Sequence, residues 1–289
     1  KPALIFVHGG PGLNSHDFEV TTAQRLSDEG FLVVTYDQRG QGRSREADSS
    51  EFTYQQYAKD LRLIIESLHL IQPTLIAHSH GGSIAIHFDQ YYPGMAKKIA
   101  LVSAPLNFWD SISSIEENCA SKYSQNGEIE KLRELAYIHQ ALFASPMNLS
   151  GKDYAYAVGS TFTAGLDCGL YSVKRSSPKR DQLNALLKAN PMTVKLSGQS
   201  SAMPAFLSNE NYVHGDSSEF VFQNRAHYCG IYGDEDGLFT PLVRATLQST
   251  LNNPGEELRF KLIQGASHAL YIDQQDAFIE ALQSVCKIK

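Results

Sequence analysis

The chain has 289 residues and a mass of 32.0 kDa, enough for one substantial core or for a core with a lid. Apolar residues make up 42% and charged residues 19%, an ordinary globular balance. The net charge of −6, with no basic run longer than a dipeptide, argues against nucleic acid or a membrane surface as partner, and no apolar stretch approaches the roughly 20 residues of a membrane span.

Strand and helix signals alternate from the start. Ala3-Leu4-Ile5-Phe6-Val7 predicts a strand, followed by the glycine-rich turn His8-Gly9-Gly10-Pro11-Gly12. Asp17–Gly30 reads as a helix with a glycine stop, Phe31–Tyr36 as a buried strand, and Thr53–Leu70 as an amphipathic helix with Thr53 as N-cap. Thr74-Leu75-Ile76-Ala77 is the next strand, then a helix from about Gly82 to Tyr92 stopped by Pro93, then the strand Ile99–Val102. Repeated β-α-β units imply an α/β fold with a mostly parallel, doubly wound sheet.

The pattern changes near Pro105. Residues 107–222 carry helical stretches such as Glu128–Leu142 and no strong strand, so they are expected to form an inserted helical cap. The sheet resumes with Tyr228–Tyr232 and Leu258–Ile263, and Asp276–Val285 supplies a closing helix, giving a core of residues 1–106 and 223–289.

Ala77-His78-Ser79-His80-Gly81 puts a serine on a strand-to-helix corner with small residues two places away on either side. This is the G-x-S-x-G nucleophile elbow with alanine at its first position. A serine hydroxyl needs a base in contact and an acid to orient that base. Asp236, on the loop leaving the strand that ends at Tyr232, is the expected acid; Asp234 and Glu235 compete but read more simply as solvated turn residues. His268 follows the last strand, so the chain order is Ser79, Asp236, His268. The expected oxyanion hole takes one N–H from His80 and one from Gly10. The turn Asp37–Ser44 reads as structural, with Arg39 tying neighbouring loops by bidentate bonds. Neither glycine turn fits a nucleotide fingerprint, so no cofactor is expected.

These motifs together resemble the α/β-hydrolase superfamily and, within it, the proline iminopeptidase branch, whose members carry HGGPG and DQRGxGxS in these places. The resemblance covers residues 2–106 and 226–289 and barely reaches the cap. It implies an α/β-hydrolase fold with Ser79 as nucleophile, Asp236 as acid and His268 as base. It further implies release of N-terminal proline from small peptides, and a short β-hairpin before Lys1. The chain departs from that branch at Ala77, where the family has glycine, and at His80, where a tryptophan or tyrosine is frequent. In that branch cap carboxylates hold the substrate's amino group. Glu116, Glu117 and Glu210 are the candidates here, though a helix-face glutamate is more often merely solvated.

An esterase or lactonase acting on small acyl substrates would use the same triad. Cap aromatics (Phe108, Trp109, Tyr137, Phe143, Tyr154, among others) would line its acyl pocket or simply fill the cap's own core. A ligand-binding protein of the same fold without turnover is the non-enzymatic alternative. His78-x-His80 with His87 suggests a metal site, but strand alternation sends neighbouring side chains to opposite faces. Cys119, Cys168, Cys229 and Cys286 show no C-x-x-C and are expected to be free and buried. Lys1-Pro2 runs straight into a strand with neither an initiator methionine nor a signal peptide. Either a leader has been removed or the sequence begins part-way through a longer chain, so the location is left unknown, leaning only slightly to the cytoplasm, and the oligomeric state is left open.

Overall fold

A computed structural model describes residues 1–44, 47–143, 151–197, 202–210 and 215–288. Six strands, β1 (Ala3–Val7), β2 (Leu32–Thr35), β3 (Thr74–His78), β4 (Lys98–Val102), β5 (Tyr228–Gly233) and β6 (Phe260–Ile263), form one sheet. All pairs are parallel, in the order β2-β1-β3-β4-β5-β6. Along β1, Leu4 and Phe6 pack with Phe18, Ile76 and Phe278 on one face, while Ile5 and Val7 pack with Tyr57, Leu61 and Ile84 on the other. Helices cover both faces, which is why the central strands read as unbroken apolar runs rather than alternating ones.

The helix Tyr54–Ser67 starts where expected: the Thr53 hydroxyl oxygen accepts the Gln56 N–H at 3.2 Å. The helix His80–Tyr91 begins two residues before the predicted start, because the Ser79 carbonyl already accepts the Gly82 N–H at 2.9 Å. The helix predicted over Asp17–Gly30 is instead three short pieces, with a wider turn at Glu19–Ala23 between His16–Phe18 and Gln24–Asp28. There the Thr21 hydroxyl donates to the Asp17 carbonyl and Thr22 reaches across to Tyr271, which diverts side-chain bonding from a regular helix. Gly30, at φ +98°, is the stop.

Between β4 and β5 the described elements are helical, beginning with Phe108–Asn126, Ile129–Phe143 and Gly151–Asp167. The first ends on Gly127 in the left-handed conformation (φ 71°). An isolated bridge between Asn107 and Asp216 closes the insertion at its base. The stretch Pro178–Leu196, in contrast, descends onto the sheet-bearing part. Leu183 joins the cluster around Phe18, Arg180 Nε donates to Asp273 at 2.6 Å, and His16 Nε2 lies 3.1 Å from the Thr193 hydroxyl. Among the described residues no helix is long and apolar enough to cross a membrane.

The cysteines correct the sequence expectation: none is free. Cys119–Cys168 joins the helix Phe108–Asn126 to the end of Gly151–Asp167, and Cys229–Cys286 joins β5 to the C-terminal segment. The bridged residues lie 49 and 57 positions apart, on elements that become neighbours only through the tertiary fold, so their spacing carried no sign of the pairing.

Candidate active site

Ser79 sits at the carboxyl end of β3 with φ 53° and ψ −125°, a backbone conformation that costs a non-glycine residue about 1–3 kcal/mol. Its N–H donates to the Val102 carbonyl at 2.9 Å, which fixes the corner against β4. The small-residue requirement has a visible cause. A Cβ on Gly81 would run into the Val7 carbonyl oxygen and come within 2.7 Å of that of His8. The Ala77 methyl, two residues before the serine, is buried in the core without such a clash.

The first glycine turn lies directly on this corner. A Cβ on Gly9 would approach Ser79 Cβ to 2.9 Å, and Gly10 adopts φ +139°. The turn is supported from behind by the loop after β2. The Gln41 side-chain oxygen accepts the Gly12 N–H at 2.7 Å, and Gln38 donates its backbone N–H to His8 Nε2 at 2.9 Å and its amide to the His8 carbonyl at 2.6 Å. Arg39 makes the expected bidentate pair, to Asp60, at 2.6 and 2.8 Å. Burial pushes the Asp37 carboxyl up, but hydrogen bonds from Arg43 and Ser15 outweigh it and hold the group below the usual carboxylate range. The Asp37–Ser44 turn is therefore a brace for the glycine turn.

Asp236, 1% exposed, lies on the loop after β5. Its Oδ2 accepts from His268 Nδ1 at 2.9 Å and its Oδ1 accepts the Leu238 N–H at 3.1 Å. This bond places the proton on His268 Nδ1 and leaves Nε2 as the ring's basic atom. Asp234 and Glu235 are not simply solvated: Asp234 accepts the Gly265 N–H at 2.7 Å, and Glu235 accepts the Lys174 N–H. Both tie loops together. Ser79 and His268 are not hydrogen-bonded to each other. The residue before the serine, His78, links the two loops: its Nε2–H donates to the His268 carbonyl oxygen at 2.9 Å and its ring lies 4.8 Å from the His268 ring.

His80 is fully buried, its ring 4.8 Å from Phe206 and 5.7 Å from Tyr54, and burial pushes its pKa down to about 3. Its neighbour His87 stacks on Tyr54 at 4.2 Å. The H-x-H pair thus diverges, and among the described residues no group of three or more His, Cys, Asp or Glu could hold a metal ion.

In the insertion, Glu116 is buried and pairs with His139 Nδ1 at 2.7 Å, and burial pushes its carboxyl up. Glu210 accepts the Tyr54 N–H at 2.8 Å and is raised by burial too, whereas Glu117 is exposed. Of the aromatics, Phe108 and Tyr154 are core, Trp109 packs on Phe143 at 3.7 Å, and Tyr137 and Tyr156 are exposed. Sequence reasoning missed His78 and Tyr171, which flank the His268 ring. Only the position of His78 beside the serine could have hinted at either.

Residues 2–124 match the family model described as alpha/beta hydrolase fold. A proline iminopeptidase of Lactobacillus helveticus is 25% identical over 98% of this chain and 89% of its own length. A bifunctional esterase/perhydrolase of Acinetobacter calcoaceticus is 33% identical over 36% of this chain and 37% of its own. A proline iminopeptidase-related protein of Thermus thermophilus has the same fold, with a TM-score of 0.67 at 24% identity, covering all of this chain and 91% of that one. With the parallel sheet and its flanking helices, these likenesses make the chain a hydrolase of the α/β-hydrolase fold whose sequence is proline iminopeptidase-like.

Proposed function

We propose that the chain is a serine hydrolase working through an acyl-enzyme, with proline iminopeptidase-like release of an N-terminal residue from small peptides. The observation that supports the reading is the Asp236–His268 hydrogen bond, linked to the Ser79 corner through His78, which bonds to the His268 carbonyl. In this reading His268 Nε2 takes the Ser79 proton as Oγ bonds to the substrate's carbonyl carbon. The oxygen that gains charge is held by the N–H groups of Gly10 and His80, on two backbones packed against each other. His268 then gives its proton to the leaving amine as the C–N bond breaks, and water releases the acyl group by the same steps in reverse. Asp236 holds the imidazole in the required tautomer and stabilises its charged form.

In this reading the insertion between β4 and β5 is the cap, built chiefly from its helices Phe108–Asn126, Ile129–Phe143 and Gly151–Asp167, while its stretch Pro178–Leu196 rests on the sheet-bearing part. Glu116, which is buried, and Glu210, which is partly buried, are the carboxylates suited to a substrate's ammonium. A second reading, an esterase of small acyl substrates, is favoured by the stretch shared with the Acinetobacter esterase/perhydrolase. The test is a fluorophosphonate label followed by a side-by-side assay of proline arylamide, a short-chain aryl ester and an acyl lactone. Labelling at Ser79, lost in Ser79→Ala, is expected, with the highest kcat/KM on the arylamide. An unlabelled native protein refutes covalent catalysis, and preference for the ester or lactone replaces the peptidase assignment.

A further inference from the structure

The segment from Cys168 to Lys174 leaves the end of Gly151–Asp167 and threads between the loops that carry Asp236 and His268. The Leu170 carbonyl accepts the N–H of Gly237, the residue after Asp236, at 3.0 Å. The contact is close: a Cβ on Gly237 would lie 2.6 Å from that of Leu170. One residue on, the Tyr171 carbonyl accepts from the hydroxyl of Ser267, the residue before His268, at 2.9 Å. The Tyr171 ring meets the His268 ring edge-on at 5.6 Å. Farther along, the Lys174 N–H holds Glu235. Gly237 is gripped from its other side as well, by the Asn118 amide donating to its carbonyl at 2.9 Å.

Both arms of this grip share one anchor. Asn118 precedes Cys119, Leu170 follows Cys168 by two residues, and the Cys119–Cys168 bridge joins them. Lys122, one turn beyond Cys119, also donates to the Cys168 carbonyl. The acid and the base stand on separate loops leaving neighbouring strands, and these loops are tied to each other at their bases, by the Glu235 N–H to the Ala266 carbonyl at 2.9 Å and by the Gly265 N–H to Asp234 at 2.7 Å. A misplacement of about 1 Å at such a pair costs roughly 100-fold in rate, and the contacts of this segment fall on Gly237 and Ser267, the residues directly beside the acid and the base.

We propose that Cys168–Lys174 is a strap that holds the Asp236–His268 pair in working geometry, with Tyr171 as its positioning residue and the Cys119–Cys168 disulfide as its anchor. The proposal rests on the triad reading above. The fluorophosphonate probe tests both, because its maximal labelling rate reports the Ser79–His268 chemistry while its half-saturating concentration reports binding.

Tyr171→Ala is expected to lower the maximal rate at least tenfold with half-saturation within twofold. Tyr171→Phe, which keeps the ring against His268 that Tyr171→Ala removes while both keep the backbone carbonyl, is expected to stay within threefold of wild type. The Cys119→Ala/Cys168→Ala double variant is expected to lose about tenfold in the same parameter. The Cys229→Ala/Cys286→Ala pair, remote from the strap, is expected to lower the unfolding midpoint with the rate unchanged at 25 °C. Failure of the native protein to label overturns the triad and the strap together. Normal labelling of wild type and of Tyr171→Ala alike, or equal rate losses in the two cysteine pairs, overturns the strap alone. If the cap cysteine pair does not fold, the two Tyr171 variants decide.

Discussion

Mild acid should destabilise this protein well before its carboxylates titrate, and three buried histidines set the magnitude. His8, His78 and His80 are 1%, 6% and 0% exposed, and burial pushes their pKa values down to about 4, 3 and 3. The bonding explains why they resist a proton. His8 Nε2 already accepts the Gln38 N–H, so a proton there would face a donor, and His78 borders the His268 ring. In the unfolded chain each imidazole protonates near pH 6.5. The unfolded state therefore binds up to three more protons than the folded one between pH 6.5 and about 4. Stability from these groups is complete above pH 6.5 and is lost as the pH falls.

pH 5 lies about 1.5 units below the pKa of a free imidazole, so each histidine that stays neutral in the folded state costs about 2 kcal/mol there and the three together about 6 kcal/mol. That is a large share of the 5–15 kcal/mol typical of a folded domain. Partly buried His87 shifts in the same direction, while Asp17, Glu116 and Glu210, raised by burial, take up protons in the folded state above the ordinary carboxylate range and so offset part of the loss. Urea unfolding at constant ionic strength between pH 7.5 and 5 measures the slope. It should approach about 4 kcal/mol per pH unit near pH 5. A slope below one proton across that window refutes the account.

Gly81→Ala should cost about 3 kcal/mol and abolish labelling of Ser79, since the new methyl meets the Val7 and His8 carbonyls, whereas Ala77→Gly, which removes a buried methyl from a strand, should cost about 1–2 kcal/mol with labelling kept; thermal unfolding with the probe assay checks the pair. Arg39→Gln should lose about 1–2 kcal/mol by breaking the fork onto Asp60, with the labelling rate kept, and loss of labelling in a folded variant would give Arg39 more than a bracing role. Thiol titration of the denatured, unreduced chain should find no reactive cysteine and find four after reduction. Opening either bridge should lower stability by up to about 4 kcal/mol, given loops of 49 and 57 residues.

The parts legible in the sequence are those whose cause is local. β1 and β3 are apolar runs closed by glycine turns, and each strand falls within a residue or two of its expected bounds. The elbow was legible because close packing at Gly81 demands a particular residue, and Arg39 because its fork needs a carboxylate nearby. Asp236 could be picked over Asp234 only from its place in the loop, and the structure gives Asp234 separate work, on Gly265. What stayed hidden depends on encounters across the chain. His78 reaches a carbonyl 190 positions away, and both disulfides join elements whose approach no spacing rule describes.

His80 shows how such an encounter changes the chemistry inferred from a residue type. A histidine after the nucleophile, where the related branch often has a larger aromatic, suggests a charged or basic group facing the substrate. Packed against Phe206, Tyr54 and Phe108, and kept neutral by burial, this imidazole instead does what an aromatic ring does: it fills volume between the elbow and the helix Ala202–Asn209. That helix leads to Glu210 and its bond to Tyr54, so under the proposed function His80 would act on substrate choice through the position of that helix. The departure at position 80 and the carboxylate at 210 are then two ends of one packed unit, and a change at either should be felt at the other.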